Sequence, residues 1–118
     1  MPSFESRTLL IAAYAAFNAR SIDAVLETMH PDVDWPNGWE GGRVVGHQAV
    51  KDYWTRQWQV VNPRVEPCQF HTDEQGRVVV EVHQLIFDLS GNKLGDERIR
   101  HRYTIENGLI CQMEILAG

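Results

Sequence analysis

Two histidines, a glutamate and a tyrosine stand out in this chain because each lies in a run of otherwise apolar residues. His83 alternates with Val79, Glu81, Leu85 and Phe87, and His101 alternates with Ile99, Tyr103 and Ile105. Alternate residues of an extended strand share one face, so these polar groups would stand on hydrocarbon. An imidazolium or carboxylate there is costly, and such groups pair with a neighbour or shift their pKa. A hairpin turning near residues 91–93 sets His83 opposite, or nearly opposite, His101, with Glu81 beside them. The cluster reads either as an acid/base site or as a hydrogen-bonded network inside the core. A metal held by the same three groups needs another ligand or a water, and their spacing matches no compact metal motif. No metal or other cofactor is expected.

Tyr14 follows Leu10 and Ala13 and precedes Phe17 at helical spacing. A buried phenol needs a partner for its hydroxyl, and in a pocket it can polarise a carbonyl. Core packing with an incidental hydrogen bond is the alternative. Four tryptophans are many for this length. Trp54 and Trp58 lie one helical turn apart, while Trp35 and Trp39 flank a glycine-rich loop. They wall a ligand pocket or fill the core, with Trp39 the one least suited to the core. Gly41-Gly42 lacks the strand-and-helix setting of a phosphate cradle. No Ser-His-Asp or Cys-His arrangement is evident.

The elements that must position these groups follow from periodicity. Residues 4–19 read as an amphipathic helix. Ser21 caps a second, with Ile22, Val25, Leu26 and Met29 on one face, and His30-Pro31 ends it. Val33 and Trp35 form a short strand, and residues 36–42 form a loop. A third helix spans residues 47–60, with Val50, Trp54, Trp58 and Val61 on one stripe, and Asn62-Pro63 stops it. The period then becomes two. Strands are predicted over residues 64–71, 77–89, 97–106 and 109–116, the last pair joined by Asn107-Gly108, the strongest short hairpin signal. The result is one α+β domain, 1–118, with three N-terminal helices on a curved antiparallel sheet of four to six strands, cone-shaped overall.

The strand over 77–89 is apolar on both sides. Val78, Val80, Val82 and Ile86 point one way, and Val79, Leu85 and Phe87 the other. With helices on one face only, the outer face needs another cover, and a second copy of the chain is expected there, giving a homodimer. Arg98, Arg100 and Arg102 share one face as a solvated basic stripe or as part of that interface.

The chain has 118 residues and a formal net charge of −5. That balance argues against nucleic acid and anionic membranes as partners. The longest apolar run, residues 9–17, is too short to span a bilayer. Residues 1–20 lack the pattern of a secretory signal. Cys68 and Cys111 make a poor disulfide framework, so a reducing, cytoplasmic setting is expected.

Four stretches together resemble the nuclear transport factor 2-like superfamily, in particular its SnoaL-like and ketosteroid isomerase-like branch. They are Tyr14-Ala15-Ala16-Phe17-Asn18-Ala19-Arg20-Ser21-Ile22-Asp23, Met29-His30-Pro31-Asp32-Val33-Asp34-Trp35, Gly46-His47-Gln48-Ala49-Val50, and His101-Arg102-Tyr103-Thr104-Ile105-Glu106-Asn107-Gly108-Leu109-Ile110. The resemblance covers nearly the whole chain and implies a cystatin-like roll. That fold serves isomerases, cyclases, epoxide hydrolases, dehydratases and non-catalytic modules alike. By this resemblance Tyr14 matches the isomerase tyrosine that donates to the developing oxyanion. His101 falls where that branch has a second, acidic donor and where SnoaL-like cyclases have their acid/base aspartate. The isomerase general base aligns with Asn37, whose amide cannot take a proton. Asp34, three residues earlier, replaces it only in a different strand register.

The expected partner is therefore a small hydrophobic or carbonyl-bearing molecule. In an enzyme His101 is the acid/base and Tyr14 the hydrogen-bond donor, with His83 or Glu81 in support. Trp35, Asn37, Trp39, Trp54, Trp58, Glu81 and Tyr103 are expected to bind the ligand. A non-catalytic binding or interaction module is the rival. A hydrolase using a positioned water is a third reading, and it needs Glu81 or Asp34 inside the pocket.

Overall fold

The first helix starts where Ser3 accepts a hydrogen bond from the Ser6 amide at 3.1 Å, with Glu5 in the first turn favouring the helix dipole. This computed structural model describes residues 3–116, so the outermost two residues at each end of the 1–118 domain lie outside it. Helix α1 (Phe4–Asn18) buries Leu10, Ala13 and Tyr14. It ends on Arg20, whose positive φ of 63° lets the Arg20 and Ser21 amides bond back to the carbonyls of Phe17 and Ala16. The Arg20 guanidinium then reaches the Asn62 side chain and the Pro63 carbonyl, lying over the rings of Phe17 and Trp58. Asn18 exchanges two hydrogen bonds with the Val65 backbone, at 2.7 and 2.9 Å. These contacts fix α1 against one edge of the sheet.

Helix α2 (Ile22–Leu26) is shorter than its apolar spacing predicts. Ser21 makes no side-chain cap, and Met29, His30 and Pro31 belong instead to strand β1 (Met29–Pro36). The Ile110 amide bonds to the Thr28 carbonyl at 2.8 Å, so pairing with the distant C-terminal strand overrides local helical preference. The helix α3 (His47–Trp58) follows strand β2 (Arg43–Val45), which the sequence did not reveal. Strand β3 (Val61–Thr72) begins at Val61 and runs through Pro63 and Pro67, so Asn62-Pro63 lies within a strand rather than terminating a helix. Proline is tolerated there because β3 is an edge strand.

The remaining strands are β4 (Val78–Asp88), β5 (Lys93–Glu106) and β6 (Leu109–Leu116). All six form one curved sheet in the order β2-β1-β6-β5-β4-β3. The meander is antiparallel as predicted, but β1 joins β6 in parallel through Met29–Ile110 and Asp34–Gln112. Asn107 and Gly108 have φ of 52° and 77°, the left-handed pair that a two-residue hairpin turn requires.

The helices cover one face of this sheet, and the core lies between. Leu10, Val33, Val50, Val80 and Ile110 are completely buried there. Each such side chain contributes about 1.5–3 kcal/mol from burial. Cys68 and Cys111 are free thiols. No helix among the described residues is long and apolar enough to cross a membrane.

Candidate active site

The cavity forms where the curved sheet and the three helices splay apart, and its volume is about 630 Å³. Register decides which side chains enter it. On β5, His101 pairs with Val80 of β4 and with Ile115 of β6, placing Glu97, Ile99, His101 and Tyr103 on the concave face. Tyr14 reaches the same space from α1, Trp54 and Tyr53 from α3, and Trp35 from β1. Trp39, 40% exposed, lines it from the 36–42 loop.

His101 is 5% exposed, and its Nδ1 lies 2.8 Å from the Tyr14 hydroxyl. The Tyr103 hydroxyl donates to the Tyr14 hydroxyl, also at 2.8 Å. With that lone pair occupied, the Tyr14 proton is directed to His101 Nδ1, which assigns the ring proton to Nε2. Burial pushes the His101 pKa down to about 4, so the imidazole is neutral near pH 7. Burial also raises both phenols above their ordinary range, and the nearness of Tyr103 raises Tyr14 further. The Tyr14 and His101 ring planes are 6° apart, while Tyr103 stands edge-on to both. The arrangement is a neutral hydrogen-bonded chain, Tyr103 to Tyr14 to His101, ending at a ring that borders an otherwise mostly apolar space.

The expected cluster of His83, Glu81 and His101 does not form. The turn lies at residues 89–92, which pairs His83 with Arg98 and Glu81 with Arg100. His101 therefore sits three residues from the predicted partner position, and an odd offset places it on the opposite face. His83 bonds Asp96 at 2.7 Å on the outer face, where Glu81 also lies. Among the described residues no three His, Cys, Asp or Glu side chains gather as a metal-ligating set.

Asn37 is buried but does not line the cavity. Its Oδ1 accepts from the Trp39 and Glu40 amides, and its Nδ2 donates to Glu40 at 2.9 Å, so the loop consumes it. Glu40 in turn pairs with Arg56 of α3 at 2.8 Å, holding Trp39 in place. Trp58 also stays behind the wall, stacked on Trp54 and set edge-on against Phe17. Asp34 points outward and pairs with Arg43 at 2.5 Å. Neither Glu81 nor Asp34 lines the cavity, which removes the water-activating role considered for them.

Sequence reasoning missed Tyr53, Ile86, Glu97 and Met113 in the lining. Glu97 had a legible signal, since it shares the even spacing of Ile99, His101 and Tyr103. Tyr53 follows Val50 by three residues, a helical step that Trp54 obscured.

The SnoaL-like domain family profile matches residues 10–113. The crystal structure of TerC co-crystallised with polyporic acid is 29% identical, covering 97% of this chain and 92% of its own, with a TM-score of 0.83. A putative polyketide cyclase from Xanthomonas campestris pv. campestris is 19% identical, covering 97% and 90%, with a TM-score of 0.82. An LEH-like epoxide hydrolase from M. tuberculosis is 16% identical, covering 97% and 83%, with a TM-score of 0.79. At such identities the last two share the fold alone. No curated protein sequence is significantly similar.

Proposed function

Because the chain belongs to the SnoaL-like domain family, we propose that its cavity binds a small, mostly apolar, carbonyl-bearing molecule on which His101 and Tyr14 carry out proton transfer. The observation that carries this reading is the buried Tyr103–Tyr14–His101 chain ending at the cavity. A neutral imidazole whose Nε2–H faces a carbonyl oxygen donates a hydrogen bond that strengthens as the oxygen gains charge. In the reversed chain, with Nδ1–H donating to the Tyr14 oxygen, Nε2 takes an α-proton from the ligand to give an imidazolium and an enolate. It then returns that proton, so one ring serves as base and then as acid while both phenols keep their protons. The crystallisation of TerC with polyporic acid supports a small-molecule role for this fold.

One observation favours a purely binding module. Among the described residues no carboxylate stands beside His101, and Asn37, where the isomerase base aligns, is spent on its own loop. The two readings part on α-hydrogen exchange of a bound ketone in D2O, followed by NMR with 4-acetylbiphenyl. Catalysed exchange supports proton transfer, and binding without exchange supports the module.

The proposal extends to a homodimer through the outer sheet face, where Leu85 and Phe87 are half-buried in the single chain. A cytoplasmic setting accords with two free thiols and is tested by fractionating the native cells.

A further inference from the structure

The concave face of β5 carries Glu97, Ile99, His101 and Tyr103 in steps of two, so it presents polar, apolar, polar and polar groups in turn. Glu97 sits at the open end and is exposed; His101 sits deep. Directly opposite Glu97 on β4 is Gln84, which also lines the cavity. Four residues of antiparallel strand separate Glu97 from His101, which is about 13 Å between their Cα atoms. Between them lies Ile99, paired with the buried Val82 of β4, while Val65 of β3 is level with Gln84 and Ile86 lies beyond Glu97 toward the turn.

Six of the other acids among the described residues are held in ion pairs. Asp34 pairs with Arg43, Glu40 with Arg56, Glu66 with Arg64, Asp73 with Arg77, Asp96 with His83 and Glu114 with Arg102. Glu97 has no ion pair or side-chain hydrogen bond among the described residues, and neither does the Gln84 amide facing it. An acceptor of full negative charge and an adjacent amide are thus left uncommitted on the wall of a cavity that is mainly apolar.

We infer that Glu97 and Gln84 form a second polar subsite selecting elongated ligands with a carbonyl at the deep end and a hydrogen-bond donor, such as a hydroxyl, at the mouth. The inference rests on the proposed carbonyl-binding role of the cavity and specifies the ligand class. A carboxylate accepts and cannot donate, so it favours a hydroxyl or amine and disfavours a carboxylate or ether at that end. Ile99, between the two ends, and Val65, beside Gln84, require an apolar body there.

The test compares 4-acetylbiphenyl with 4-acetyl-4′-hydroxybiphenyl, titrated against the full chain by tryptophan fluorescence. The hydroxyl compound is expected to bind about tenfold tighter, as a hydrogen bond to a charged acceptor provides. In Glu97→Ala the ratio of the two affinities should fall to near one, while Glu97→Gln should keep part of it. The ratio within each variant does not depend on overall stability. Equal binding by the unaltered protein, or a preference that survives in Glu97→Ala, overturns the subsite but leaves the cavity reading standing. Failure of both compounds to bind contradicts the cavity reading and overturns the subsite with it.

Discussion

At the scale of single residues, His101 governs the account because a neutral imidazole is held where an imidazolium would be stranded. Its ordinary pKa of 6.5 is pushed down to about 4 by burial. The unfolded chain therefore binds a proton that the folded chain refuses between those two values. Stability from this source is fully present above pH 6.5 and falls as the pH drops toward 4. The loss is on the order of 3 kcal/mol for the buried group. Urea titrations at pH 7 and pH 4 should show the unaltered protein losing about that much more stability than His101→Gln. Acids titrating in the same range act in both proteins and cancel. Parallel losses in the two would mean that the ring is not held neutral. The tyrosine and histidine could be singled out in sequence because each sits on an apolar face. Their meeting could not be read there, since it depends on how α1 docks across β5.

At the scale of elements, the hairpin joining β5 and β6 was legible with its turn, while the hairpin joining β4 and β5 was legible without its register. Asn107-Gly108 names its own turn, because both residues must adopt positive φ and few others do so cheaply. Gly108→Val should cost about 1–2 kcal/mol in thermal or urea unfolding, as a left-handed β-branched residue is strained. An unchanged midpoint would mean that the turn tolerates another geometry. The earlier turn offers Ser90, Gly91 and Asn92 without a unique two-residue signature, and Leu94 is extruded where the register shifts near Gly95. Its register was therefore misjudged by three residues, which moved His83 and Glu81 to the wrong face. The second helix was overextended for a related reason. Val25, Leu26 and Met29 satisfy helical spacing, but the sheet claims Met29 through β6.

At the scale of the whole molecule, the layered α+β plan was legible because the period changes from helical to alternating after Pro63. The parallel contact of β1 with β6 was not, since it joins segments far apart in sequence. The outer face of β4 carries Val79, Leu85 and Phe87 between paired charges such as His83–Asp96 and Arg102–Glu114. If that face joins two copies, the chain should sediment as a dimer, and Leu85→Lys with Phe87→Lys should give monomers. A monomeric unaltered protein at micromolar concentration contradicts the dimer without touching the cavity. The cavity is lined by residues of one chain, so its chemistry is testable in either state.

The most direct test of the central claim is the exchange of the α-hydrogens of 4-acetylbiphenyl for deuterium, measured by NMR with the unaltered protein, His101→Ala and Tyr14→Phe. The account predicts exchange well above the buffer rate, lowered by about 10² or more in His101→Ala and substantially in Tyr14→Phe, with both variants still folded. A ligand that binds without enhanced exchange, or exchange that persists in His101→Ala, would contradict it and leave a binding module whose polar chain serves only the fold.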